Sequence, residues 1–399
     1  MQVNERFSEL PAYPFSRLRA HLGGVEPGGR GLDMSIGDPR HAPPGFIAAV
    51  LLETVDAFGR YPPNAGTPEL LAAISRWLDF RYGVTVDPET RVLALNGSRE
   101  GLFGACLALC PQSQKGRRPI VAMPNPFYQV YAGAAAAAGA DPALVPAAED
   151  TGFLPDFGNL GREILDRTAI AYICSPSNPQ GTVASLDHMA ELLRLAETHD
   201  FRVFADECYS ELYRGNPPPG ILECAEQVGA NPERVVAFNS LSKRSNLPGL
   251  RSGFVAGGPK TIGHLRKLRA YGGAPLPLPI QRVSERVWAD EDHVVASRAE
   301  YVRKYELADS VFSGLGPQVY RSPEAGLFLW IRAGDGERAV LTLWRRAGIR
   351  ALPGAYLAGP VGPGEPDPAG PYVRLSLTPP RESLATAFRA IRNTLFAGH

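Results

Sequence analysis

The chain has no surplus of charge of either sign: Lys+Arg and Asp+Glu number 41 each in 399 residues. A basic field of the kind that holds nucleic acid is not expected. Histidine is scarce, seven in all, and no two stand at ligand spacing, so no metal site is expected. The five cysteines, Cys106, Cys110, Cys174, Cys208 and Cys224, form no C-x-x-C pair and are odd in number. That pattern fits reduced, mostly structural thiols in a cytoplasmic protein. No apolar run approaches a membrane span, and residues 1–10 are polar, without the apolar core of a signal peptide. Neither G-x-G-x-x-G nor G-x-x-x-x-G-K-[ST] occurs, which weighs against a nicotinamide enzyme and an ATPase. What is present suits a globular protein too long for one small core, and so two subdomains.

One stretch organises the rest: Ser240-Leu-Ser-Lys-Arg-Ser-Asn-Leu-Pro-Gly-Leu-Arg251. Residues 234–239 before it read as a buried strand, which places Lys243 just past a strand's C-terminal end. Open α/β sheets bind ligands there. A lysine can form a Schiff base with an aldehyde, and Ser240, Ser242 and Arg251 are donors of the kind that hold phosphate. An aldehyde and a phosphate on one ligand point to pyridoxal 5'-phosphate (PLP). The plainer reading of Lys243 is a surface lysine in a polar turn.

Further candidates follow the same pattern. Strand 32–36 runs into the turn at Gly37, where a backbone group can approach a ligand. Tyr61 sits in a proline-rich loop before a helix capped by Thr67 and opened by Pro68. Strand 91–95 turns through Asn96-Gly-Ser98-Arg99-Glu100 into an apolar helix, 101–109, a ready anion site. Strand 119–123 ends near Tyr128, an aromatic able to stack on a flat cofactor. Helix 133–139 is alanine-rich. Strand 169–174 leads to Asn178, held between prolines, and helix 186–199 follows. Strand 201–205 ends at Asp206, with Tyr209 three residues on. A carboxylate there needs a cationic partner, either a protonated pyridine nitrogen or an arginine. Segment 254–256 reads as a returning, antiparallel strand.

The alternation from 91 to 258 indicates an α/β fold with a mostly parallel sheet. Helices 283–288 and 294–312 follow. The last part is a smaller α+β unit: strand 326–331, helix 337–347, strands 349–352 and 372–377, helix 382–396. Residues 359–370 read as a surface loop. The expected division is a large domain, 46–290, and a small one made of 1–45 and 291–399. Ser98, Tyr128, Asn178, Asp206, Tyr209 and Lys243 all fall at C-terminal strand ends, which share one edge of a parallel sheet.

Asn178-Pro-x-Gly181, Asp206-x-x-Tyr209, Ser240-x-Ser-Lys243 with Arg251, and the late Arg374 in Tyr372-Val-Arg-Leu-Ser resemble the class I/II aminotransferases, the fold-type I PLP enzymes. The resemblance spans nearly the whole chain; Ser252 stands where the family more often has a small apolar residue. A narrower set, including Ser35-Ile-Gly-Asp-Pro39, Asn96-Gly-Ser-Arg-Glu100, Asn125-Pro-Phe-Tyr-Gln129 and Ala205-Asp-Glu-Cys-Tyr-Ser-Glu-Leu-Tyr213, resembles the proteobacterial N-succinyldiaminopimelate aminotransferases of lysine synthesis. The resemblance implies that Lys243 binds PLP and then acts as base, and that Asp206 holds the ring nitrogen. Asn178 and Tyr209 would bond the ring's 3′ oxygen, with Tyr128 stacked on the ring. Ser98, Arg99, Ser240, Ser242 and Arg251 would surround the phosphate. Tyr61 would reach the neighbouring site of a homodimer, and Arg374, helped by the Gly37 backbone, would clamp the substrate carboxylate. The alternative for Arg374 is a strand-edge salt bridge. Rival functions are the same fold acting on aspartate, alanine or aromatic amino acids, a PLP β-lyase, and a non-enzymatic binding module. The segment Tyr13-Pro-Phe15 is expected to fold over the substrate, while Arg17 and Arg19 are available cations that no spacing singles out.

Overall fold

A computed structural model describes residues 5–8, 10, 12–360 and 367–397. Pro11 of the N-terminal lead and 361–366 of the proline- and glycine-rich stretch lie outside the described residues. Seven strands form one sheet, in spatial order Val92–Leu95, Gly253–Gly257, Val235–Ser240, Arg202–Asp206, Thr168–Cys174, Ile120–Asn125 and Asp141–Pro146. Six of them run in one direction. Gly253–Gly257 runs against both its neighbours, as the sequence suggests for 254–256. Thr168–Cys174 and Val235–Ser240 are buried along their whole length, because helices cover both faces of a parallel sheet. On one face Leu70, Ile74, Trp77, Leu192, Ile221 and Trp288 build a core. On the other, Leu102, Cys106, Tyr131, Ile262 and Leu265 build a second.

A third core joins residues of the first helix, Leu18 and Leu22, to Tyr301, Tyr305, Phe312, Leu343, Leu352 and Phe388. It packs on an antiparallel sheet in the order Leu352–Pro353, Tyr372–Ser376, Phe328–Arg332. The helix Asp292–Phe312 spans 21 residues, about 32 Å. It starts beside the lysine segment and ends inside this third core. Among the described residues, no helix is long and apolar enough to cross a membrane.

Local chemistry sets the helix ends. The Thr67 side chain accepts from the Leu70 N–H at 3.4 Å, Pro68 opens the helix Pro68–Tyr82, and Gly83 closes it at φ 67°. Several elements differ from the sequence reading. The helix read as 101–109 begins at Ser98, because Gly97 at φ 80° completes the turn early. The helix read as 133–139 begins at Gln129. The strand read as 32–36 is only Leu32–Asp33, since the next carbonyls serve other partners: Met34 accepts from the Ser376 N–H and Ser35 from Arg374. The strand read as 349–352 splits: Ile349–Arg350 pairs with Leu32–Asp33, and Leu352–Pro353 with Tyr372–Ser376.

Candidate active site

The parallel strands end on one edge, and a cavity of about 520 Å³ opens there. Its lining includes Gly37, Ser98, Arg99, Tyr128, Asn178, Asp206, Tyr209, Ser240, Ser242, Lys243, Arg251 and Arg374. Every residue proposed from the sequence except Tyr61 is therefore brought to one place. Tyr61 is fully exposed and lies outside this chain's cavity. Tyr13 and Phe15 line the mouth, whereas Arg17 is held elsewhere, over the Tyr356 ring at 4.0 Å.

Strand ends and short turns aim each group. Ser240 closes its strand and caps the short helix Leu241–Arg244 by accepting from the Ser242 N–H. Lys243 sits on that helix, and its Nζ donates to the Gly37 carbonyl. Burial pulls its ammonium down to about 8, and the charges of Arg374 and Arg251 add to the effect. Arg251, at a left-handed φ of 55°, donates to Pro248 O at 2.8 Å and to Asn96 O at 3.1 Å. A Cβ on Gly97 would overlap its guanidinium, so only glycine admits Arg251 beside the helix Ser98–Leu109. Free N–H groups of that helix, three serine hydroxyls and Arg251 thus gather round one point, an anion cup.

Asp206 is 5% exposed. Tyr131 donates to its Oδ2 at 2.9 Å and the Cys208 N–H to Oδ1 at 3.3 Å. Burial nonetheless pushes the carboxyl up from its ordinary range. No arginine pairs with it among the described residues, so the salt-bridge alternative is not realised. Arg374 shows the complementary imbalance. It is 4% exposed, and burial lowers its guanidinium to about 10. Its acceptors are neutral: Asn178 Oδ1 at 3.1 Å and Ser35 O at 2.7 Å. It stacks over Phe328 at 4.1 Å, and its Nε is buried without a partner. A buried cation without an anion is costly, and a bidentate carboxylate is the natural remedy. The strand-edge salt bridge considered for Arg374 is absent among the described residues.

Several residues in and behind the cavity wall escaped the sequence reading. Tyr131 lies one helical turn from Tyr128, a spacing that could have flagged it. Phe328 under Arg374, and Cys174 and Cys208 in the wall, carry no such signal. All five cysteines are free, but these two belong to the site rather than only to the core. The Cys208 Sγ lies 3.0 Å from the Ser98 Oγ.

Comparison with known proteins agrees with this geometry. The family Aminotransferase class I and II matches residues 30–391. The chain is 30% identical to an LL-diaminopimelate aminotransferase of Dehalococcoides mccartyi, over 98% of this chain and 99% of that protein. An aminotransferase structure from Neisseria meningitidis is 35% identical with a TM-score of 0.92, covering 98% of this chain and 100% of that one. A structure from Thermus thermophilus, titled a probable N-succinyldiaminopimelate aminotransferase, is 26% identical with a TM-score of 0.81, covering 95% and 97%. With its parallel sheet, its lysine at the strand edge and its unpaired buried arginine, the chain belongs to the class I and II aminotransferases, PLP-dependent enzymes of fold type I.

Proposed function

We propose that the chain moves an amino group from N-succinyl-LL-2,6-diaminopimelate to 2-oxoglutarate, giving N-succinyl-2-amino-6-oxopimelate and glutamate, in diaminopimelate and lysine synthesis. The observation that carries this reading is the charge of the cavity wall. Among the described residues, Arg99, Lys243, Arg251 and Arg374 face only Asp38 and Asp206. With Arg251 on a phosphate, Arg374 on the α-carboxylate and Asp206 on a ring nitrogen, Arg99 is left over. Its Nε donates to the Tyr128 hydroxyl at 2.7 Å, and no carboxylate is among the groups acting on it. A substrate with an anionic far end fits that remainder. N-succinylation turns the far end of diaminopimelate from zwitterion to dianion.

The residues fit PLP. The buried Asp206 carboxylate calls for a protonated ring nitrogen. Asn178 spends its Oδ1 on Arg374, which leaves its amide N–H groups for the ring's 3′ oxygen, joined by the Tyr209 hydroxyl. Tyr128 forms a ring wall, and Ser98, Ser240, Ser242, Arg251 and the Arg99 backbone N–H surround the phosphate. When bound, PLP supplies an aldehyde that captures the substrate amine and a ring that withdraws electrons from Cα. Lys243 Nζ takes the proton from substrate Cα. Its pKa near 8 leaves part of it basic at neutral pH, and its tether supplies proximity. Arg374 orients the substrate, and Tyr13 and Phe15 shield it from water. The full exposure of Tyr61 supports its reach into a neighbouring subunit of a homodimer. The division into 46–290 and the two flanks, and a cytoplasmic location, belong to the same reading.

A second reading takes LL-diaminopimelate itself, with Asp38 receiving the distal ammonium; the naming of the Dehalococcoides relative favours it. Purified PLP-loaded protein is mixed with 2-oxoglutarate and N-succinyl-LL-diaminopimelate, and glutamate is followed. LL-diaminopimelate, aspartate and alanine run in parallel, with Lys243→Ala as control. Preference for the succinyl substrate is expected. Faster turnover of LL-diaminopimelate would replace it with the second reading. Release of ammonia and pyruvate from an added amino acid with a β-thioether leaving group, with no glutamate formed from any of these amines, would make the enzyme a β-lyase.

A further inference from the structure

Both ends of Lys243 are tied to one helix. On the backbone side, the three residues after it each engage the approach to, or first turns of, Asp292–Phe312. The Arg244 guanidinium, fully buried, pairs with Glu291 and donates to Val287 O at 3.0 Å. The Ser245 Oγ meets His293 Nε2 at 2.8 Å. Asn246 Nδ2 donates to the Ser297 Oγ at 3.2 Å. On the Nζ side, the Gly37 carbonyl that holds Lys243 belongs to the segment running to His41. Three turns further along the same helix, Lys304 fastens that segment. Its Nζ donates to His41 Nε2 at 2.7 Å and to Leu377 O at 2.9 Å.

Lys304 is a fully buried cation that the chemistry above does not use. It forms no ion pair among the described residues. Its charged surroundings are Glu300 on its own helix, Arg381 and Glu382 on the C-terminal helix, and Arg40 beside His41. Leu377 follows the strand that carries Arg374. Lys304 therefore joins the lysine-holding segment to the strand of the carboxylate clamp.

We infer that Lys304, acting through His41, is a positioning residue that holds the Gly37 carbonyl against Lys243 Nζ. A carbonyl fixed there favours the ammonium form of a lysine that burial otherwise discharges. The groups acting on Lys243 itself are Cys208, Asp38, Arg374 and Arg251. Lys304 is not among these largest influences, and its link to Lys243 runs through His41 and the Gly37 segment. The inference rests on Lys243 being the working lysine, and its test does not require PLP.

Protein stripped of PLP is labelled competitively with acetic anhydride across pH, and acetylation of Lys243 is read by mass spectrometry. His41→Leu removes the acceptor and leaves Lys304 its bond to Leu377. Lys304→Met removes the anchor. Both are expected to lower the labelling midpoint of Lys243 by about 0.5 in pH, while Val295→Ala, on the exposed side of the helix, leaves it in place. Because Lys304→Met alters a buried site, His41→Leu decides the matter if that variant does not fold. An unchanged or raised midpoint in folded His41→Leu overturns the inference. Wild-type protein that never takes PLP onto Lys243 would instead sink the proposed function and leave the labelling result standing.

Discussion

Arg374 and Arg244 are both buried guanidiniums lying against aromatic rings: Arg374 over Phe328 at 4.1 Å, Arg244 over Trp288 at 4.9 Å. They differ in what neutralises them. Arg244 has Glu291 and backbone carbonyls, and its charge is settled within the fold. Arg374 has only an amide and a carbonyl oxygen, and its charge is left without an anion among the described residues. Burial of a cation is thus no guide to its role; the missing anion is. Lys304, between His41 and Leu377 O, is a third case, a cation whose partners are neutral and whose segment leads to Lys243.

Each contrast can be broken by substitution. Arg374→Leu should lower kcat/KM by about 10³-fold, near 4 kcal/mol, with its urea midpoint unchanged or raised, since the change removes an uncompensated charge. A marked loss of stability would show that the fold depends on Arg374. Arg244→Leu should do the reverse and destabilise by about 2–3 kcal/mol, because it strands Glu291. A second change, Glu291→Leu, should recover most of that loss in urea unfolding. The smallest effect concerns the third case. Burial, then the Lys304 charge, hold the His41 imidazole down at about 4. The folded state thus binds its proton less well than the unfolded one. The resulting stability is full above pH 6.5 and is lost as pH falls towards 4. His41→Gln should flatten stability across that window, measured as the urea midpoint at pH 7 and pH 4.5.

Much of the fold was legible where one local signal sufficed. Thr67 followed by Pro68 marks a helix start, and the helix Leu186–His199 carries its Ser185 cap and apolar stripe openly. The strand Asp141–Pro146 was not assigned. Its two prolines argue against a strand, and it tolerates them because it lies at the sheet edge, paired on one side only. Segment 34–36 read as strand because it is apolar in part, but its carbonyls are taken by donors from far along the chain, the Ser376 N–H and the side chains of Arg374 and Thr378. No local pattern can show that. The site was legible for the same reason as the sheet: each group follows a strand, and parallel strands end together. Tyr131, Phe328 and the mooring of Lys243 by Lys304 depend on contacts between distant segments, and periodicity is silent about those.

The reversed strand Gly253–Gly257 has a consequence for how the molecule comes together. Gly253 pairs with both Leu95 and Ser240, so the anion cup closes only when this strand joins the edge strand to the rest of the sheet. Its arginine and the turn it meets at Asn96 are 155 residues apart in the chain. That is a contact of high order, and such contacts form slowly. A ligand held in the cup therefore rewards the completed sheet, adding stability by mass action. In a growing chain, capacity to bind the cofactor would be gained only once residues near 257 had emerged and found their place.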